Sequence, residues 1–158
     1  MSNQTLVILK PDTLERKLVS IVLNRFESAG LHIAAMKYLR DVPASAVISH
    51  YAPAGCKHGP NVLRRLVSQL TGDKRPASFP GIIVMVLEGP CAIASARRIA
   101  GEQACPSLCE PGTIRRDYGR DTISAADQCD EAVNNLVHTS SSIEDAQREL
   151  AIWLPLIT

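Results

Sequence analysis

Ile82-Ile83-Val84-Met85-Val86-Leu87 is six apolar residues without a polar break. A run that short and that continuous reads as a β-strand covered on both faces. Thr5-Leu6-Val7-Ile8-Leu9 has the same character, and Lys10-Pro11-Asp12 ends it, because proline brings no N–H to a ladder. Leu31 to Leu39 reads as a further strand with Ile33, Ala35 and Lys37 on one face, and Asn135-Leu136-Val137-His138 as the last.

The segments between these strands carry a helical period. Leu18, Val19, Val22, Leu23 and Phe26 form one stripe, closed by Gly30 as C-cap. Pro43 to Tyr51 reads as a short helix, and Asn61 to Leu70 as another with Val62, Leu63, Leu66, Val67 and Leu70 inward. Pro90 opens a helix that runs to about Ala100. Ser141-Ser142-Ile143-Glu144 is a capping-box pattern with Ser141 as N-cap, and Ile143, Ala146, Leu150 and Trp153 mark the buried face of the helix that follows. Residues 71–80 read as a loop, and Glu102 to Val133 shows no clear period, which in a compact domain suggests a functional or interface element. The order matches a ferredoxin-like βαββαβ fold of the α/β (α+β) class. It implies a four-stranded antiparallel sheet with helices on one face, in a single domain over 1–158.

Composition narrows the partners. Seventeen basic residues face sixteen acidic ones, so no bulk charge draws the chain to nucleic acid or a membrane, and an anion site must come from a few converging side chains. Aromatic residues are only 4%, which argues against a base-stacking RNA platform. Five cysteines without a CxxC pair, and no signal-like N-terminus, suggest reduced thiols and a cytoplasmic protein. No apolar run reaches the length of a membrane span.

A few residues suit phosphate chemistry. Lys10 ends a buried strand, where its ammonium meets the sheet rim. Arg97, Arg98 and Arg115 offer guanidinium forks that match phosphate oxygens. His138 ends the last strand just before a helix start, and a neutral imidazole attacks phosphorus well. Glu149 falls beside Trp153 on the edge of the last helix's buried stripe, within reach of His138 as an orienting carboxylate. Each also has an ordinary reading when taken alone: a snorkelling lysine, helix-end and loop arginines, a bland histidine, an exposed glutamate.

Taken together, and in order along the chain, several stretches resemble the nucleoside diphosphate kinase family. They are Thr5-Leu-Val-Ile-Leu-Lys10-Pro-Asp12, Arg25-Phe26-Glu27 with Gly30, His50-Tyr51, and Val86-Leu87-Glu88-Gly89. Arg97 with Gly101-Glu102 follows, then Pro111-Gly112-Thr113-Ile114-Arg115, Asn135-Leu-Val-His138-Thr-Ser140, and Glu144 through Glu149 to Trp153. The similarity spans roughly Thr5 to Trp153. It implies a nucleotide-binding, ATP-using transferase that passes a γ-phosphoryl group between nucleoside di- and triphosphates. The cycle is ping-pong through a phosphohistidine at His138 Nδ1. The resemblance gives Lys10 contacts to sugar and phosphates, and Tyr51 a place beside phosphates and histidine. Arg97 and Arg115 become phosphate ligands, Asn135 a ribose ligand, and Ser140 with Glu149 the pair that orients the histidine. Mg²⁺ is implied as a passenger on the nucleotide, with no protein metal ligands. Members are commonly hexamers built from dimers.

The chain departs from the family pattern in places. Gln103 stands where a threonine near the β-phosphate is usual, and Arg116 replaces a glycine. Ser141 replaces an aspartate, and Val62 and Leu63 replace an aromatic wall for the base. Insertions fall near 71–80 and 119–133, the second leaving a dimer or tetramer as alternatives to a hexamer. Two other readings stand beside the kinase: a nucleotide-binding or interaction protein of the same fold with weak or no turnover, and an RNA-binding module on a ferredoxin-like sheet.

Overall fold

In the computed structural model, which describes residues 3–158, the two apolar runs are the central strands. β1 (Gln4–Leu9) pairs antiparallel with β3 (Ile82–Glu88), Gln4 facing Glu88 and Leu9 facing Ile83. β2 (His32–Leu39) flanks β3 and β4 (Val137–Thr139) flanks β1, so the order is β2-β3-β1-β4 with every neighbour antiparallel. This is the expected ferredoxin-like sheet.

Alternate residues of the central strands feed two cores. Leu6, Ile8, Val84 and Val86 join Val47 and Tyr51 of α3 (Ala44–His58), Leu70 of α4 (Pro60–Thr71), and Leu150 and Trp153 of α8 (Ile143–Ile157). Val7, Leu9, Met85 and Leu87 join Val22 and Phe26 of α2 (Val19–Glu27), Ala92 and Ala96 of α5 (Ala92–Ala100), and Ile114 of α6 (Ile114–Tyr118). Helices therefore cover both faces, not one as the element order suggested. Strands apolar on both sides require this, because each aliphatic side chain moved out of water contributes roughly 1.5–3 kcal/mol.

Several elements differ from the sequence reading for identifiable reasons. β2 carries a bulge: Ile33 pairs with Leu87 but Ala35 with Val86, so Ile33 packs on the α2 side and Ala35 on the α3 side. The expected shared face of Ile33, Ala35 and Lys37 is broken by that one extra residue. α3 continues past Tyr51 to His58 through Pro53. Proline has no N–H for the Ser49 carbonyl, and Arg148 Nη1 donates there at 3.3 Å and to His50 O at 2.9 Å. The last helix is capped by Ser142, whose Oγ accepts from Asp145 N at 3.0 Å, while Ser141 Oγ bonds the Asp145 carboxylate. The cap lies one residue beyond the one expected.

The stretch from Glu102 to Val133 is not irregular throughout. It holds a 3₁₀ turn at Pro106–Leu108, α6, and α7 (Ile123–Gln128), with Thr113 and Thr122 as side-chain N-caps. Helices of 5 and 6 residues make under two turns and leave no period to read. A short α1 (Pro11–Glu15), opened by Pro11, follows β1 directly. Among the described residues no helix is long and apolar enough to cross a membrane.

Candidate active site

His138 sits on β4, the shortest strand, and its approach is set by an unusual turn. Leu136 has φ +72° and Val137 N donates to Asn135 O at 2.8 Å, a γ-turn centred on a buried leucine. Residues around Lys10 hold it in place. Leu136 N donates to Asp12 Oδ2 (3.0 Å), and Leu136 O accepts from Lys10 N (2.8 Å) and Thr13 Oγ1 (2.6 Å). The end of β1 and the start of α1 therefore hold the chain two residues before His138.

His138 Nε2 lies 3.0 Å from Glu149 Oε2, and Ser140 Oγ donates to the same oxygen at 2.7 Å. An ionised carboxylate only accepts, so Nε2 carries the hydrogen and Nδ1 keeps its lone pair. Burial by itself raises the Glu149 pKa, but the charge of His138 and the bonds from His138 and Ser140 outweigh it. The net effect holds the carboxyl below its usual range. Leu6 N donates to Ser140 Oγ at 3.2 Å, tying this group to the central strand.

His50 stands beside Tyr51 in the sequence with no role assigned to it, and the structure puts it against His138. Its ring centroid is 4.3 Å from that of His138 at 77°, and 4.4 Å from that of Tyr51. Trp153 Nε1 donates to His50 Nδ1 at 3.2 Å, which leaves the hydrogen on Nε2, a buried atom without a partner. Burial first, then the His138 charge, push the His50 pKa well below its ordinary value. The 4.0 Å approach of His50 to Glu149 is therefore a neutral contact and not an ion pair. The signal was present in the sequence: Ala46, Val47, His50 and Tyr51 make one helical stripe, in which a histidine is out of place.

Tyr51 stands 6.0 Å from His138 between ring centroids, with its hydroxyl buried, unpartnered and held in the phenol form by burial. Lys10 is only 4% exposed, and its Nζ donates to Gln69 Oε1 at 3.0 Å. Burial and then the nearby Arg115 lower its pKa to about 8, against the raising effect of Asp12. Arg115 is buried among carbonyls: Nη1 donates to Gly101 O and Gln103 O at 2.9 Å, Nη2 donates to Val137 O at 2.7 Å, and Nε has no partner. Arg97 donates to Glu102 O at 3.1 Å. The Gln103 side chain is exposed and contributes only its carbonyl, while Arg116 is turned to Ser107 O.

A cavity of about 260 Å³ joins Lys10 and Asn135 to Val62 and Leu66 of α4 and to Ala126 and Val133 opposite. Asn135 Nδ2 donates to Ala104 O at 2.8 Å, and its Oδ1 is buried without a partner. Two groups thus emerge from the expected set. Ser140, Glu149 and Tyr51 gather around His138, and Lys10, Asn135 and Val62 line the cavity. Arg115 bridges them through Val137, while Gln103 stays at the surface.

A family model described as nucleoside diphosphate kinase matches residues 3–157. A protein of Rhodococcus opacus (strain B4) named nucleoside diphosphate kinase is 38% identical over 155 residues, covering 98% of this chain and 96% of that protein. One of the same name from Mycobacterium marinum is 38% identical, covering 98% of each. Among solved structures, the nucleoside diphosphate kinase of Borrelia burgdorferi with bound vanadate and ADP, a transition state mimic, is similar at a TM-score of 0.82 and 31% identity. That likeness covers 95% of this chain and 85% of that one. An NDP kinase from Pyrobaculum aerophilum is similar at 0.75 and 32%, covering 96% and 94%.

Proposed function

The chain belongs to the nucleoside diphosphate kinase family, and on that premise we propose that His138 carries the phosphoryl group, through Nδ1, between a nucleoside triphosphate and a nucleoside diphosphate. The observation that carries this reading is the bond from His138 Nε2 to a Glu149 oxygen that also accepts from Ser140. It fixes the tautomer, aims the ring and leaves Nδ1 as the nucleophile.

In the first half-reaction the Nδ1 lone pair forms a bond to the γ-phosphorus, the bond to the β–γ bridging oxygen breaks, and a nucleoside diphosphate leaves. The ring gains positive charge, which Glu149 balances at 3.0 Å. In the second, a terminal oxygen of another diphosphate attacks phosphorus and the P–N bond breaks. Catalysis of this kind rests on alignment and charge neutralisation. Lys10, Arg97 and Arg115 supply positive charge to the phosphates. Three buried atoms without protein partners suit the nucleotide: Tyr51 OH and Arg115 Nε as donors to phosphate oxygens, and Asn135 Oδ1 as acceptor from a ribose hydroxyl. Val62 provides an aliphatic wall for the base, and Gln103 enters through the carbonyl that anchors Arg115.

The divalent cation in this reading is Mg²⁺ and enters with the substrate as its phosphate complex. His50, His138 and Glu149 offer ligand atoms within 4.8 Å of one another, but Trp153 already donates to His50 Nδ1 and two donors occupy Glu149 Oε2. We take residues 1–158 as one cytoplasmic domain that forms a homo-oligomer, a hexamer in preference to a dimer or tetramer. The half-exposed Met36 and Tyr38 on edge strand β2 support association. Light scattering that reports a monomer would overturn that part.

The deciding experiment is brief incubation with γ-labelled ATP and Mg²⁺, then denaturation. A base-stable, acid-labile label that His138→Ala abolishes and that GDP discharges as GTP is the expected result. ATP binding without a label would sink the assignment.

A further inference from the structure

Lys10 Nζ meets one side-chain acceptor among the described residues, Gln69 Oε1. The other end of that amide is equally committed. Gln69 Nε2 donates to Ala132 O at 3.2 Å, Val133 O at 3.0 Å and Asn134 Oδ1 at 3.2 Å. Carbonyl oxygens only accept and an ammonium only donates, so chemistry fixes which end of the amide faces which partner. A flexible side chain tied at both ends has one usable rotamer, and its entropy of ordering is already spent in the free protein.

The segment that Gln69 holds is itself clasped to the same helix. Asp130 accepts from Arg64 Nη2 through both oxygens at 2.7 Å and from Arg65 Nε at 2.9 Å, and Arg65 Nη1 reaches Asp127 at 2.6 Å. Gln69 therefore lies between a braced segment, 130–134, and a lysine buried at the rim of the cavity.

We propose that Gln69 is a positioning residue for phosphoryl transfer, holding the Lys10 ammonium in the cavity from the braced 130–134 segment. The inference rests on the reading of Lys10 given above. Its physical basis is the shortage of acceptors around a buried cation. Arg115 opposes the Lys10 charge and Asp12 supports it, while His58, Arg65, Asp127 and Glu131 line the same cavity. Arg65 already engages Asp127. Burial and then Arg115 pull the Lys10 pKa down to about 8 and Asp12 raises it, and the acceptor on Nζ adds a bond that favours the charged form.

The test is kcat/KM for ATP-to-GDP transfer against pH, a profile that reports groups of the free enzyme, for the wild type, Gln69→Leu and Gln69→Glu. The protonated lysine is the working form, so activity falls as pH rises through its pKa. Gln69→Leu removes the acceptor and is expected to move the basic limb down by about one pH unit. Gln69→Glu places a carboxylate there and should move it up by about as much. Opposite displacements support the inference. A basic limb common to all three proteins overturns it, even if activity has dropped, because a merely structural residue would lower the curve without moving it. If Gln69→Leu fails to fold, Gln69→Glu decides alone. A wild type that catalyses no transfer overturns the reading of Lys10 and this inference with it, whereas an active wild type with immobile limbs sinks only the role of Gln69.

Discussion

Two buried charges of the site, Glu149 and Lys10, work in opposite senses on stability. Glu149 is stabilised as an anion by His138 and Ser140, so its pKa lies below the ordinary 4.5. The stability it contributes is present above 4.5 and is lost as pH falls through its lower folded value. Glu149→Gln should therefore flatten the decline of Tm as pH falls below the ordinary 4.5. It should also slow formation of the phosphoenzyme by roughly 10²-fold, because the ring loses its anionic partner; single-turnover labelling measures that, and an unchanged rate would remove Glu149 from the mechanism. Lys10 behaves the other way. A folded pKa of about 8 against 10.5 unfolded means that the fold carries an unfavourable charge below pH 8, relieved as pH climbs from 8 to 10.5. The displacement corresponds to ~3 kcal/mol at pH 7. Lys10→Met should raise Tm at pH 7, by less than that figure implies because Gln69 and Asp12 lose a partner, while kcat/KM falls by more than about a hundredfold. Thermal melts and kinetics on one preparation check both halves, and a lower Tm would contradict the burial argument.

At the scale of elements, the site is assembled from segments that brace one another. Pro53 frees the Ser49 carbonyl of α3, and Arg148 of α8 donates to it, so α3 and α8 are joined beside His50. α4 holds 130–134 through Asp130 and Gln69. The Asp130 pairs are exposed and each is screened by solvent, so their effect is to orient the segment more than to stabilise the fold. Asp130→Ala is expected to leave Tm nearly unchanged and to raise the nucleotide KM by roughly three- to tenfold with little change in kcat. In 1 M KCl the wild type should move toward the variant as the ion pairs are screened. Steady-state kinetics at two salt concentrations measure this. A KM indifferent to both changes would show that the cavity closes without the clasp.

Across the whole molecule, one sheet separates two apolar cores, and β1 serves both. Ile8→Ala and Leu9→Ala, which empty opposite faces, should each cost about 2–5 kcal/mol in urea unfolding. A near-zero cost for either would mean that its face is not packed. This two-sided burial was legible in the chain, since unbroken runs such as Ile82 to Leu87 suit only a strand covered on both sides, although element order alone suggested helices on one face. The stripes of α2 and α4 were legible for the same reason, because local periodicity records which side of an element leaves water; so was that of α8 from Ala146 to Trp153, whereas Ile143, expected on its buried face, lies in the first turn and is 47% exposed. Helical spacing also brought Glu149 to the edge of the Trp153 stripe, facing His138. The bulge in β2, the γ-turn at Leu136 and the short helices after Glu102 were not legible, because each spans too few residues to repeat. His50 against His138, Gln69 on Lys10 and the Asp130 clasp were beyond reach for a different reason. Their partners lie 59 to 88 residues away along the chain. The sequence by itself determined which apolar faces the strands and longer helices bury and in what order those elements come, because these follow from neighbours within a turn or a pleat. Only the tertiary structure decided which polar atoms meet, because that depends on how separate elements are brought into register by packing.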